Sequence, residues 1–378
     1  MRLKTHFRRG AATTCEEVGI RAQTARILQI RTGSLAPVRW LLVTSAQPRL
    51  IVSCVAENQA KWHTLAYNLA LSCMTTRSTY PVRFVANFVD GVDPAAGRRI
   101  EDLGGEVRVV ARVDRRNPYL NKLRMLELAD TEDFEVLAAL DCDTIVVRDL
   151  SPHVSLESVG AKPADMDPLT PEQWTGLYTA LGLCTPTTEY IATISGARIG
   201  PYFNSGVLLI PRRYCGLLLD AWTDMNDRIL GVYRDHPEMI PSQSRVFLDQ
   251  YSLACALAAT AIPVRALPSE LNYPVHLPMH VPVHPAARSS IEPVIAHYHK
   301  NITANGFLTR SRNEEVNADL HAFNLRRSAA LGMSYSRLPD LPLKERALRA
   351  MHHCRKTVRG AAVRVRTRIP GPGWAREG

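Results

Sequence analysis

Two carboxylates stand at the end of an apolar run, Asp141 and Asp143 in Leu140-Asp-Cys-Asp-Thr-Ile-Val-Val147. In an extended segment, residues i and i+2 point the same way, so this pair can share one cation. Hard oxygen ligands suit Mg²⁺ or Mn²⁺. A cation held there can neutralise a diphosphate and stabilise it as a leaving group. A bare Asp-x-Asp equally fits an acidic turn, so its setting decides. Other polar residues at element ends are Glu57-Asn58, Lys122, Asn204 and Asp249-Gln250. His297 and His299 flank Tyr298 and face one way if that segment is extended. His276, His280 and His284 are four apart, but Pro278 and Pro282 interrupt any helix that could align them as a second metal site.

The elements that must position these residues are legible from Arg49 onward. Leu50–Val55 is an apolar, buried-strand pattern, and Lys61–Met74 follows with near-helical apolar spacing. Strands are expected at 81–89, 106–110 and 134–140. Between them, helices are expected from Asp93-Pro94 to Leu103 and from Tyr119 to Leu128, with Asp93 as N-cap and Pro94 at the first helical position. This alternation argues an α/β fold with a doubly wound parallel sheet. Ligands bind such sheets beyond the carboxyl ends of the strands, where Asp141 and Asp143 lie. Further on, helices are expected at 171–183, 213–228 and 248–259. Strands are expected at 203–210 and 294–296, with a Pro-rich loop over 267–293.

Composition bounds the function class. The 378-residue chain is 46% hydrophobic and 22% charged, which suits a globular protein with a sizeable core. Its net charge of +10 belongs to the ends. Residues 1–50 carry nine Lys+Arg against two Asp+Glu, and residues 344–378 carry ten against two. The remainder is acidic, which argues against nucleic acid as a partner. The basic ends suit solvated tails or peripheral contact with an anionic membrane. Eight scattered cysteines without a Cys-x-x-Cys pair read as reduced thiols, and so as a cytoplasmic protein. No apolar stretch is long enough for a membrane span. Three regions are expected: a poorly ordered basic extension over 1–48, with a short helix at Glu16–Ile30; the α/β domain over 49–325; and a helical, basic tail over 326–378.

The stretch Leu140-Asp-Cys-Asp-Thr-Ile-Val-Val-Arg-Asp149-Leu resembles the "LDxDTxVxxDL" segment of glycosyltransferase family 8, the glycogenin-like retaining enzymes. Further matches follow in family order: Asn121-Lys122-Leu123, Tyr202-Phe-Asn204-Ser-Gly206-Val, Asp249-Gln250, Leu267-Pro with Leu271-Asn272, and Ile295-Ala-His297. The resemblance spans about residues 50–300. It implies a GT-A fold: a Rossmann-like, mostly parallel sheet with flanking helices and a small antiparallel addition. It also implies a metal-dependent hexosyltransferase acting on a nucleotide-sugar, with a UDP-sugar expected as donor, and with retention of configuration.

Under that resemblance Asp141, Asp143 and His297 ligate the cation, with His299 the alternative to His297. One imidazole beside two carboxylates favours Mn²⁺ over Mg²⁺. Lys122 is a point charge near the diphosphate or sugar. Asp249, with Gln250 beside it, faces the reacting sugar, and these two and Lys122 are the catalytic candidates. Glu57 and Asn58 lie on the nucleobase side. Cys142, Asn204, Ser205, Gly206 and Lys300 complete the donor site. The family's Lys-Pro-Trp after the histidine is here Lys300-Asn-Ile. The acceptor, whether a saccharide, a lipid-linked group or a protein, is not inscribed in these motifs. The segment 151–200 is long enough to form an acceptor lid. The alternatives are a nucleotidyltransferase, which would carry a Gly-rich loop after the first strand, or a non-catalytic nucleotide-sugar binder.

Overall fold

The computed structural model describes residues 49–165, 167–241, 246–275, 291–311 and 313–340. The expected extension over 1–48, the basic end from 344, and His276, His280 and His284 lie outside the described residues. All described residues belong to one compact unit.

The chain opens with β1 (Leu50–Glu57), α1 (Ala60–Thr75), β2 (Val82–Val89), α2 (Pro94–Glu101) and β3 (Glu106–Val110). Asp93 caps α2 by accepting from the backbone N–H of Ala96 at 2.9 Å. The expected helix over Tyr119–Leu128 is instead a 3-10 turn at Pro118–Lys122 and two short helices, α3 (Leu123–Leu126) and α4 (Leu128–Thr131). Then come β4 (Val136–Leu140), β5 (Thr144–Val146), β6 (Val159–Pro163) and α5 (Pro171–Ala180), which Thr170 and Gln173 start with a capping box. The hairpin β7 (Tyr190–Ile191) and β8 (Arg198–Ile199) precedes β9 (Phe203–Pro211), α6 (Arg212–Asp235) and α7 (Leu248–Thr260). Last are β10 (Val264–Ala266), β11 (Tyr273–Pro274), β12 (Ile295–His297) and α8 (Glu314–Leu331).

Among the described residues the main sheet has seven strands in the order β10-β6-β9-β4-β1-β2-β3. The four strands expected to form the parallel core pair in parallel in the order β4-β1-β2-β3, but β9 runs antiparallel to both β4 and β6. A second sheet pairs β11 with β12 and β12 antiparallel with β5. The fold expectation is met in its layout: a mostly parallel, Rossmann-like sheet with flanking helices and a small antiparallel addition.

Strand alternation sorts the core into two layers. Leu50, Val52, Cys54, Val136, Ala138 and Leu140 face α1 and α8, where Leu65, Leu69 and Phe323 wait. Ile51, Leu137 and Ala139 face α5, α6 and α7, with Trp174, Trp222 and Leu253. The boundary drawn at 325/326 falls inside α8, whose Phe323 and Arg327 are both buried. Among the described residues no helix is long and apolar enough to cross a membrane, and the cysteines are free.

Candidate active site

A cleft of about 570 Å³ opens at the carboxyl ends of β1 and β4. Of the residues singled out from sequence, Glu57, Lys122, Asp141, Cys142, Asp143, Asn204, Ser205, Asp249, Gln250, His297 and Lys300 line it. Asn58 does not: its amide oxygen meets His63 Nε2 at 3.1 Å. Gly206 lies beneath the cleft floor. A Cβ there would stand 2.7 Å from Asp141 Oδ2 and 2.9 Å from His297 Cε1, so no larger residue fits without displacing one of them.

The Asp-x-Asp segment is a turn, not the extended stretch expected. Thr144 N–H donates to Asp141 O at 3.1 Å, and Cys142 and Asp143 form the bend. The two carboxylates therefore take different partners. Asp143 Oδ1 lies 3.0 Å from His297 Nε2, and its Oδ2 lies 3.7 Å from His299 Nδ1. The two imidazoles stack with centroids 3.7 Å apart. Asp143, His297 and His299 can each offer one ligand atom within 4.8 Å of the others, and Asp141 is outside that group. One carboxylate oxygen and two imidazole nitrogens converging at a cleft are a donor set that fits Mn²⁺ better than Mg²⁺. Burial opposes the charged form of Asp143, but His297, His299 and Lys122 outweigh it and hold the carboxyl well below the usual range.

Asp141 belongs to a second ionic cluster. Its Oδ1 lies 2.8 Å from Lys122 Nζ, which also reaches Asp249 Oδ2 at 3.3 Å and donates to Ser205 Oγ at 2.9 Å. Ser205 donates in turn to Asp249 Oδ2 at 2.6 Å. Burial pulls the Lys122 ammonium toward neutrality, and the two carboxylates more than reverse it, so its pKa is raised. Asp249 lies in the first turn of α7 and is 2% exposed; its own backbone carbonyl accepts from Trp222 Nε1 at 3.0 Å. It is not the helix cap, since Phe247 holds that position.

At the β1 end, Glu57 accepts from Arg112 Nη1 at 2.8 Å and from Asn121 Nδ2 at 2.9 Å. Cys142 sits in the bend with its side chain in the core, and burial pushes its thiol well up. It is therefore an inert spacer whose backbone carbonyl meets Tyr298 Oη at 3.4 Å.

Sequence reasoning missed a buried polar layer behind the histidine. His297 Nδ1 meets Asn272 Oδ1 at 2.9 Å, and Asn272 Nδ2 donates to Asn204 Oδ1 at 2.9 Å. Lys162, 2% exposed, donates to Asn272 O at 3.3 Å and pairs with Asp165 at 2.9 Å. The available signal was a lysine inside the apolar run Val159-Gly-Ala-Lys162-Pro, because a buried lysine must be paired. Asn272 was visible in a motif, but without a role. In the 151–200 segment, Ile194 N–H donates to Asp165 at 3.3 Å.

Residues 86–261 match the model of the Rhodobacterales glycosyltransferase domain. No curated protein matches the chain. Similar solved structures include the galactosyltransferase LgtC in complex with donor and acceptor sugar analogues, at 18% identity and TM-score 0.40, over 79% of this chain and 99% of that one. GlyE of Streptococcus pneumoniae TIGR4 is 14% identical at TM-score 0.41, over 76% of this chain and 66% of that one. Mouse xyloside xylosyltransferase 1 in its apo form is 11% identical at TM-score 0.39, over 66% and 98%.

Proposed function

We propose that this glycosyltransferase, whose residues 86–261 match the Rhodobacterales glycosyltransferase domain, transfers a hexose from a nucleoside-diphosphate sugar with a divalent cation bound. UDP is the nucleotide we favour, and retention the outcome, on the family 8 resemblance. The acceptor is a saccharide, a lipid-linked group or a protein. The observation that carries the reading is the pairing of two clusters in one cleft: Asp143 with His297 and His299, and Lys122 with Asp141, Ser205 and Asp249.

Asp143 and His297 would hold the cation, with His299 and Asp141 the candidates for further ligands. When bound, Mn²⁺ or Mg²⁺ supplies positive charge to the departing diphosphate. Lys122 adds fixed charge beside it, and charge placed in advance is the most effective kind of stabilisation. Asp249 Oδ2 is already engaged by Ser205 and Lys122. That engagement favours an electrostatic role toward the sugar over covalent attack. The leaving diphosphate oxygen then takes the acceptor's proton on the same face. Glu57, held by Arg112 and Asn121, lies at the end of β1 and suits the nucleoside end of the donor.

Calorimetric titration of UDP tests the reading. Binding is expected with Mn²⁺, is expected to disappear with EDTA, and is expected to be lost in Asp143→Ala. UDP binding that ignores both changes would refute a metal-held donor. The nucleotidyltransferase alternative lacks its Gly-rich loop after β1, since Ala56–Lys61 carries no glycine.

A further inference from the structure

The hydrogen bonds behind His297 start from a donor that cannot be reassigned. Gly206 N–H is a backbone group, and it donates to Asn204 Oδ1 at 2.8 Å. The Asn204 amide is thereby fixed with its oxygen toward Gly206. The same oxygen faces the Asn272 side chain at 2.9 Å, so Asn272 must present its NH₂ there. Its carbonyl oxygen is then turned to His297 Nδ1 at 2.9 Å. An amide oxygen only accepts, so Nδ1 must carry a proton. Asn272 and His297 are each 3% exposed, so water does not offer an easy substitute.

The backbone holds this arrangement in register. Asn272 closes the turn at Ser269–Asn272, and β11 follows it directly, pairing Pro274 with His297. Lys162 fastens the carbonyl of Asn272 from the other side at 3.3 Å.

We propose that Asn272, oriented by Asn204 and the Gly206 N–H, is a positioning residue that holds His297 as the Nδ1–H tautomer, with the Nε2 lone pair aimed at the cation beside Asp143. The proposal rests on the metal-binding reading above. Nε2 faces Asp143 Oδ1 at 3.0 Å. A lone pair and a carboxylate oxygen at that separation repel unless a proton or a metal ion lies between them, and a metal site puts the metal in the place of the proton. Without the relay, the imidazole could instead carry its proton on Nε2, donate it to Asp143 and cancel both donor atoms at once.

The tautomer can be read without metal, by long-range ¹H–¹⁵N NMR on histidine-labelled full-length protein, with His297→Gln assigning the signal. The wild type is expected to show Nδ1 protonated. In Asn272→Leu the proton is expected to move to Nε2, and Mn²⁺ affinity, measured by electron paramagnetic resonance, to fall about 10- to 100-fold. Asn272→Asp keeps an acceptor for Nδ1–H, and is expected to keep the wild-type tautomer. An Nε2–H histidine in the wild type overturns the proposal without any variant. So does an Asn272→Leu protein with unchanged tautomer and affinity. A wild type with the expected tautomer that binds no Mn²⁺ would instead refute the metal reading, and the ligand-positioning role with it.

Discussion

Lys122 is the residue on which the charge balance of the cleft turns. Its side chain is 10% exposed and lies between Asp141 and Asp249. Removing one member of a buried ionic group leaves the others uncompensated, at a cost of about 3–5 kcal/mol. Lys122→Met is expected to destabilise the protein by that order and to weaken UDP binding. The folded-state pKa of Lys122 is raised, so its contribution is complete below the unfolded value of about 10.4 and fades only as pH rises through the folded value. Urea unfolding of wild type and variant at pH 6, 7.5 and 9 should give one constant difference. A difference that shrinks by pH 7.5 would mean that Lys122 is not held as a cation. The residue types were legible in the sequence, because charged groups at the carboxyl ends of strands have few structural uses. Their pairing was not. The period-two argument needs extended backbone, and the turn at Cys142–Asp143 sends Asp141 to Lys122 and Asp143 to the histidines.

At the scale of elements, β9 brings the site together, and its direction could not be read in advance. Phe203–Pro211 is buried along nearly its whole length, the pattern of a central parallel strand, yet it lies antiparallel between β4 and β6. A continuous apolar run carries no information about polarity. The antiparallel course places Val207 opposite Leu140, so Gly206 sits under the residue that starts the Asp-x-Asp turn. Asp141 N–H donates to Gly206 O at 2.8 Å. Gly206→Ala would push a methyl against Asp141, Asn204 and His297 at once. Overpacking of this kind costs about 1–3 kcal/mol. The strand should survive it, while Mn²⁺ affinity should fall at least about tenfold as the ligands separate. Thermal melting and Mn²⁺ titration of the same sample separate the two effects. Wild-type metal affinity in Gly206→Ala would show that the close approach is incidental.

Across the whole molecule, the cleft draws on both core layers, and α8 is the element that ties the far side of one of them to the segment after β12. His297 ends β12, and His299 lies in the segment that leaves it and becomes the loop 301–309. That loop closes on itself through an Ile302–Leu308 bridge and the Gly306 N–H donated to Thr303 O at 3.0 Å, and Gly306 has a φ of 81°, a left-handed conformation that favours glycine. Arg327 of α8 adds an anchor from outside the loop, beside Asn324, whose side chain bonds both the N–H and the carbonyl of Leu308. Its guanidinium bonds Asn68 Oδ1 in α1, donates to Asn305 O at 3.0 Å, and lies 5.4 Å from the Tyr67 ring. Asn68 Nδ2 donates back to Gly306 O at 3.0 Å. Burial lowers the Arg327 pKa, yet the side chain is held by amides and an aromatic face instead of a carboxylate, with its Nε unpaired among the described residues. No motif announced this, since Arg327 follows Arg326 in a helix without a marked apolar face, and only the packing of α8 selects which of the two turns inward. Arg327→Met fills much of the volume and leaves Asn68 Oδ1 and Asn305 O without their donor. Asn305 is exposed and its carbonyl can turn to water, so the one buried acceptor stranded, Asn68 Oδ1, should cost about 1–3 kcal/mol. Arg327→Lys keeps the charge but not the planar fork, and should fall between the two. If the loop positions His299 and Lys300, Mn²⁺ affinity in Arg327→Met will drop together with stability, by urea unfolding and by metal titration under folding conditions. A variant as stable as wild type would mean that the loop is held by its own turns. One that is destabilised but binds Mn²⁺ normally would confine the role of α8 to the core.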